Sequence, residues 1–547
     1  MLPGFVATLL IVLGLNPALP AAGQARTPTP SPVSTSAAGP AFGMRIALVP
    51  EDDRPVNLQD VRVLGLVADI DVVTPPRSRL GRADQEGDAE GIVEWMDELD
   101  VTKLDAVVVS TDMLVYGGLA GSQKAALLQD RALSRLSALA RLKARRHDLP
   151  IYAFSSLLRL KPADEGHKGQ WKDSLEQWAA LGGSAVADPQ AATEARVLEG
   201  TIPPTMLDAY RTFRGRNLAV TLAAADAVTH GDLDALVVGA QDATVRGLAA
   251  VERDAILAKV AGPQSGHVVF TPATDGIAGL LLARAAIVKL GASPAVVVDG
   301  APGSDSGAVL DAFRAVVGVR AAPAAGSAAG SRALTLLVFS GRDNGAAAAK
   351  AAERAATLLA SGASVTLADV SPDGKAGASL PLVESLRNRH LFLKLAGYAA
   401  EGEASTTVAA AIAQGLLRTL GADVVARRTP AAAARLTNAH AVAQLRRLTV
   451  DFIYQAVMRP QAMEDYLTPH NMDPAHLNPD QIMRVQDYLK GEMQPLADNL
   501  VGEFGDRPRT PRPYTLTLTD LEDFKLSLPW GRLDEVEISF RITSTTK

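Results

Sequence analysis

The stretch Leu104–Leu119, LDAVVVSTDMLVYGGL, decides the fold. Its run Ala106–Val109 is apolar without polar alternation, the pattern of a strand buried on both faces of a parallel sheet. Ser110, Thr111 and Asp112 follow at once, then Tyr116 and the pair Gly117-Gly118. A buried strand that ends in a carboxylate and a glycine turn sets polar groups at the carboxyl edge of a sheet, where open α/β folds take their ligands.

Outward from this stretch the same unit recurs. Ile46–Val49 leads into Glu51-Asp52-Asp53-Arg54-Pro55-Val56-Asn57, and Ile151–Ser155 into Leu157-Leu158-Arg159. KLDAVVVSTDMLVYGG (103–118) is echoed by DLDALVVGAQDATVRG (232–247), with Asp112 and Gly117 matched by Asp242 and Gly247. The echo reads either as a distant duplication or as two strand-turn-helix units built under the same constraints. Val268–Phe270 leads to Thr274-Asp275-Gly276, Val296–Val298 to Asp299-Gly300, and further short runs end at Phe339 and Leu367. Units in series imply right-handed crossovers and parallel sheets.

Residues 163–217 read as polar helix, a lid or insertion over the sheet edge, and 380–500 as helical. Tyr514–Thr519 and Val536–Ile542 alternate at period two, which predicts a small antiparallel appendage. The expected architecture is α/β: Rossmann-like parallel-sheet lobes with a helical region and a C-terminal antiparallel β appendage. Its expected parts are a first lobe with an acidic cleft at 44–320, a second α/β and helical lobe at 332–500, and the appendage at 501–547. An Ala/Gly run at 321–331 divides the lobes.

Residues 1–25 have the form of a signal peptide, with an apolar core at Phe5–Leu15 and small residues at Gly23-Gln24-Ala25, although no Lys or Arg precedes the core. An uncleaved anchor, or a start at Met44, are the alternatives. Residues 26–43 form a Pro/Ser/Thr/Ala tether. The expectation is an exported protein without a membrane span after processing.

The chain of 547 residues is 48% apolar and carries 60 acidic against 54 basic side chains, a net charge of −6. No basic stripe points to nucleic acid. The absence of cysteine removes thiol nucleophiles, disulfides and cysteine-ligated metals. The eight His residues form no HExxH motif, and His470, Asp473 and His476 read as a surface loop. An all-oxygen Mg²⁺ or Ca²⁺ site remains open to the acids. There is no GxSxG, P-loop or GxGxxG motif, and the loop Gly303–Gly307 reads more simply as a turn than as an anion cradle.

What remains is carboxyl chemistry. Asp53, Asp112 and Asp242 each follow a strand, as does Asp275, and each has a local alternative in turn fixing or helix capping. Acids gathered at one sheet edge push each other's pKa values apart and leave a protonated acid beside an ionised base. Asp53, Asp112 and Asp242 are the candidate catalytic residues. Asp52, Arg54, Asn57, Tyr116, Glu252, Asp275 and Arg284 are candidates for holding substrate.

The segments ALVPEDDRPVN (47–57), VSTDMLVYGGL (109–119), the stretch Gly239–Glu252, TDGIAGLLLAR (274–284) and LPWGRLDEVEI (528–538) resemble the bacterial family catalogued as domain of unknown function 4127. The resemblance covers most of residues 44–547. It implies a multi-lobed α/β protein with an acidic cleft, associated with carbohydrate metabolism. The chain departs from the family pattern at Gln241-Asp242, where paired Asp is usual. It departs again at SPDGKAG (371–377) and at Ala396–Thr407, which leaves the family roles of Asp373, Tyr398 and Glu401 open.

The expected function is hydrolysis of a glycan or similar polar substrate outside the cytoplasm, one carboxyl protonating the leaving oxygen and another activating water. No cofactor is needed for that scheme. The alternatives are an extracytoplasmic solute-binding protein that clamps a sugar or cationic ligand, and an oxygen-ligated metal-dependent hydrolase.

Overall fold

The computed structural model describes residues 42–546 except 83–84, 163–170, 183–187, 243–246, 261–264, 300–305, 322–332, 426–429 and 506–515. The expected signal peptide and nearly all of the tether, the glycine loop at 303–307 up to residue 305, and nearly all of the Ala/Gly run lie outside the described residues.

Six strands form the first sheet: β1 (Met44–Val49), β2 (Ile70–Val73), β3 (Ala106–Ser110), β4 (Ile151–Ser156), β5 (Ala235–Gly239) and β6 (Val268–Thr271). Their order is β2-β1-β3-β4-β5-β6, all parallel. The second sheet is also parallel, with β7 (Ala295–Asp299), β8 (Ala333–Phe339), β9 (Ser364–Asp369) and β10 (Gly397–Ala399) in the order β10-β9-β8-β7. β11 (Leu516–Ser527) and β12 (Glu537–Thr546) form an antiparallel hairpin.

The unbroken apolar runs do what period two demands. Along β3, Val108 faces one core while Val107 and Val109 face another, and β1 splits the same way, Ile46 and Leu48 against Ala47 and Val49. The first of these cores continues through the helices Ile277–Leu290 and Ala404–Val425 into Val296, Leu334 and Leu336 of the second sheet, so both sheets share it. These two helices lie close: a Cβ on Gly279 would stand 3.3 Å from the Cβ of Ala413.

Two boundaries differ from the sequence reading. β7 pairs with β8, so the change of sheet falls between β6 and β7 and not at 321–331; four apolar residues before Asp299 look alike in either sheet. Within the expected helical region 380–500, β10 adds an edge strand, and Leu448–Met458 is wound as a π-helix. Wide turns of this kind are rare and gather at functional sites.

Candidate functional site at the carboxyl edge of the first sheet

β1, β3, β5 and β6 deliver their acids to one edge, as the sequence suggests, but side-chain direction divides them into separate networks. In the turn after β1, consecutive residues diverge. Glu51 points inward, fully buried, and its Oε1 accepts from the Ser156 hydroxyl at 2.7 Å while Oε2 has no partner. Asp112 Oδ2 accepts from the Ser156 amide at 2.8 Å. Burial, opposed only by the Ser156 bonds and the local backbone, lifts Asp112 to about 7. Burial, followed by the charge of Asp112, lifts Glu51 well above the carboxyl range. These two acids sit where the strand order reverses between β1 and β3, the crevice that open sheets use for ligands, and here they fill it. Asp112 does not cap the next helix: Ser110 does, accepting from the Met113 amide at 3.2 Å.

Asp53 turns another way. Its Oδ1 accepts from the Trp530 indole at 2.6 Å, and its Oδ2 contacts Arg77 at 3.1 Å and Arg82 at 3.4 Å. It lines an open groove with Gln85, Ser527, Pro529 and Glu537. Asp242 Oδ2 accepts from the Leu160 amide at 2.9 Å, in the loop after β4. Asp112 and Asp242 are therefore bound to backbone amides at and just after the end of β4, while Asp53 turns to the Trp530 indole and to Arg77 and Arg82.

A different set does converge. Arg54 donates through Nε to Asp52 Oδ2 at 2.8 Å, and through Nη2 and Nη1 to Asp275 at 2.8 and 3.1 Å. Nη1 also reaches Glu535 Oε1 at 3.4 Å. Asn57 donates to Asp52 at 2.9 Å and to Asp275 at 3.4 Å. Asp275 and Glu535 line an open cleft of about 230 Å³ between the first sheet, the end of β10, the π-helix and the turn before β12. Burial lifts Glu535 to about 7; Arg54 opposes this, and Asp275 and Asp52 reinforce it.

The far wall is a buried charge network. Asp60, in the first turn of the helix Gln59–Val67, meets Arg446 at 2.5 Å and Arg447 at 2.9 Å. Arg447 also meets Glu401 at 2.5 Å. Asp451 Oδ2 accepts from the Ala400 amide at 2.9 Å. Burial lifts Glu401 to about 7 despite Arg447.

Three remaining candidates stand elsewhere. Glu252 forms a two-pronged pair with Arg214 at 2.8 and 2.6 Å, which braces two helices. Arg284 donates to the Val316 carbonyl at 3.0 Å and lies over Tyr152. Tyr116 is buried under Arg216. Of the acids left open by the resemblance, Asp373 is bound to exposed Lys375 at 2.8 Å, and Tyr398 donates to buried Asp369 at 2.8 Å. Only Glu401 reaches the cleft. His476 and Asp473 form an exposed pair at 3.0 Å. Among the described residues, no three His, Cys, Asp or Glu side chains converge closely enough to hold a metal ion.

The family model described as "Protein of unknown function (DUF4127)" matches residues 46–539. The chain belongs to this family. No curated protein and no solved structure matches it. The match spans both sheets and the first part of the terminal hairpin, so the cleft is assembled within the DUF4127 region. Sequence reasoning missed Glu535, Asp60, Asp451 and Arg447 there. Glu535 stood within the LPWGRLDEVEI segment quoted for the resemblance, one residue before the period-two run Val536–Ile542.

Proposed function

We propose that this DUF4127 chain is an exported hydrolase that cleaves a glycosidic or similarly polar bond in the cleft, with Glu535 as the general acid and Asp275 as its partner. The observation that carries this is the shared arginine. Because Arg54 Nη1 lies 3.1 Å from Asp275 Oδ2 and 3.4 Å from Glu535 Oε1, those two oxygens stand within about 7 Å of each other. Carboxyl pairs in glycoside cleavage are separated by roughly 5 to 10 Å. Glu535 has the pKa of an acid that still holds its proton near neutrality, and its side chain is 22% exposed, open to a substrate. In this scheme Glu535 gives its proton to the leaving oxygen as the bond breaks. Asp275, too close to Glu535 to leave room for a water between them, attacks the sugar carbon from the opposite face to give a covalent intermediate, and Glu535, now ionised, takes a proton from the water that releases it. Arg54, with its donors committed to Asp52, Asp275 and Glu535, holds the pair in place.

A second reading, binding of a cationic ligand without turnover, is favoured by the surplus of acids on the lining: Asp60, Asp275, Glu401, Glu403, Asp451, Asp534 and Glu535 against Arg159, Arg446 and Arg447. A panel of aryl glycosides and cell-wall fragments, run with Glu535→Gln as control, separates the two. Hydrolysis by the native chain that the variant lacks supports the first. Retention of a cationic oligosaccharide with no product from either chain supports the second.

A further inference from the structure

Trp530 occupies a backbone conformation that a large side chain avoids: φ is 61° and ψ 11°, in the left-handed region, followed by Gly531 at φ 66°. Cβ crowds the following carbonyl there, so glycine is the residue of least resistance. The chain holds an indole in place of it, and the surroundings force the turn from several sides. The Leu477 amide donates to the Gly531 carbonyl at 2.9 Å, the Leu533 amide to Pro474 at 2.8 Å, and the Tyr454 hydroxyl to Leu533 at 2.7 Å. A disfavoured conformation that is so firmly determined gathers where its side chain has work.

The indole touches both branches of the turn after β1. Its N–H donates to Asp53 at 2.6 Å, and the guanidinium carbons of Arg54 and Arg532 each lie 5.6 Å from its ring. Arg54 is the group that reaches Asp52, Asp275 and Glu535. Five residues after Trp530, the same turn supplies Glu535 itself. We infer that Trp530 is a positioning residue for the Asp275–Glu535 pair: the strained turn wedges its indole against Arg54 and Asp53 and so fixes the guanidinium between the two carboxyls.

This rests on the hydrolase reading for its meaning, but not for its test. The charged groups acting on Glu535 are Arg54, Asp275, Asp52 and Asp534; those facing Arg54 are Asp52, Asp275 and Glu535 with the Trp530 ring, and those facing Trp530 are Asp53, Arg54 and Arg532. A guanidinium less firmly held lowers the Glu535 pKa less, so that pKa rises. Carboxyl-¹³C NMR of glutamate-labelled protein, with the Glu535 signal assigned by its loss in Glu535→Gln, measures this without any substrate. Trp530→Phe, which keeps a ring and loses the N–H, is expected to move the Glu535 titration upward by about 0.5 to 1 pH unit. The alkaline limb of any pH–rate profile should follow. If Trp530→Phe does not fold, Trp530→Gly, which suits the left-handed backbone and removes the indole without changing the charge, should move the titration in the same direction. An unmoved titration in a folded variant overturns the inference, even where the native chain hydrolyses substrate. A moved titration with no hydrolysis by any form upholds the positioning role and counts against the hydrolase alone.

Discussion

Two groups of acids stand on the same sheet edge and differ in almost every physical respect. Glu51 and Asp112 are sealed between β1 and β3 and joined through Ser156, with no ion pair to either among the described residues. Asp275 and Glu535 are partly open to a cleft and are bridged by an arginine. Burial without a counter-charge favours the neutral acid and yields a structural pair that rewards protonation. Burial beside a guanidinium, with a face left to solvent, yields acids that can exchange protons with something outside. Position after a strand is common to Asp112 and Asp275, so it cannot by itself separate chemistry from packing.

The largest expected effect lies on the open side. Glu535→Gln should lower kcat by about 100- to 10,000-fold with substrate binding retained, as measured by steady-state kinetics against isothermal titration. Next, Arg54→Lys removes the two-pronged contact to Asp275 and should cost activity at least tenfold, with a displaced pH optimum. A pH–rate profile over the neutral range would show it.

On the sealed side the sign is reversed. Asp112 carries a folded-state pKa of about 7 and an ordinary unfolded value near 4, so between these the folded chain binds more protons. Its contribution is therefore fully favourable only below pH 4, and stability falls as pH rises toward 7. Glu401 and Glu535 act in the same direction. Melting followed by circular dichroism should give a higher Tm at pH 5.5 than at pH 8. Asp112→Asn should flatten that slope and leave turnover within a few-fold of native; loss of turnover by orders of magnitude would return Asp112 to the chemistry. The smallest effect is expected for Asp242→Asn, which keeps an acceptor for the Leu160 amide and should change Tm and kcat little.

The fold was largely legible because burial on both faces writes itself as unbroken apolar runs, in β3, β4 and β5 above all. The assignment of β7 was not, since an identical run suits either sheet. In the site, the loop Glu51–Asn57 and Asp275 could be singled out from the density of charge after a strand. What could not be read was direction: Glu51, Asp52 and Asp53 are adjacent in sequence and enter three different networks, because a turn rotates each side chain away from the last. Nor could Glu535 be read, since no local pattern reveals a partner 481 residues away.

That separation has a consequence for when the molecule can work. Closing so long a span costs more chain entropy than closing the short-range units. The segment that delivers Glu535 is the connection between the two strands of the terminal hairpin, held in place by Pro474, Leu477 and Tyr454. On the hydrolase reading, turnover then depends on that turn staying docked against Pro474, Leu477 and Tyr454, and a substitution that frees it should cost turnover while the two parallel sheets stay folded.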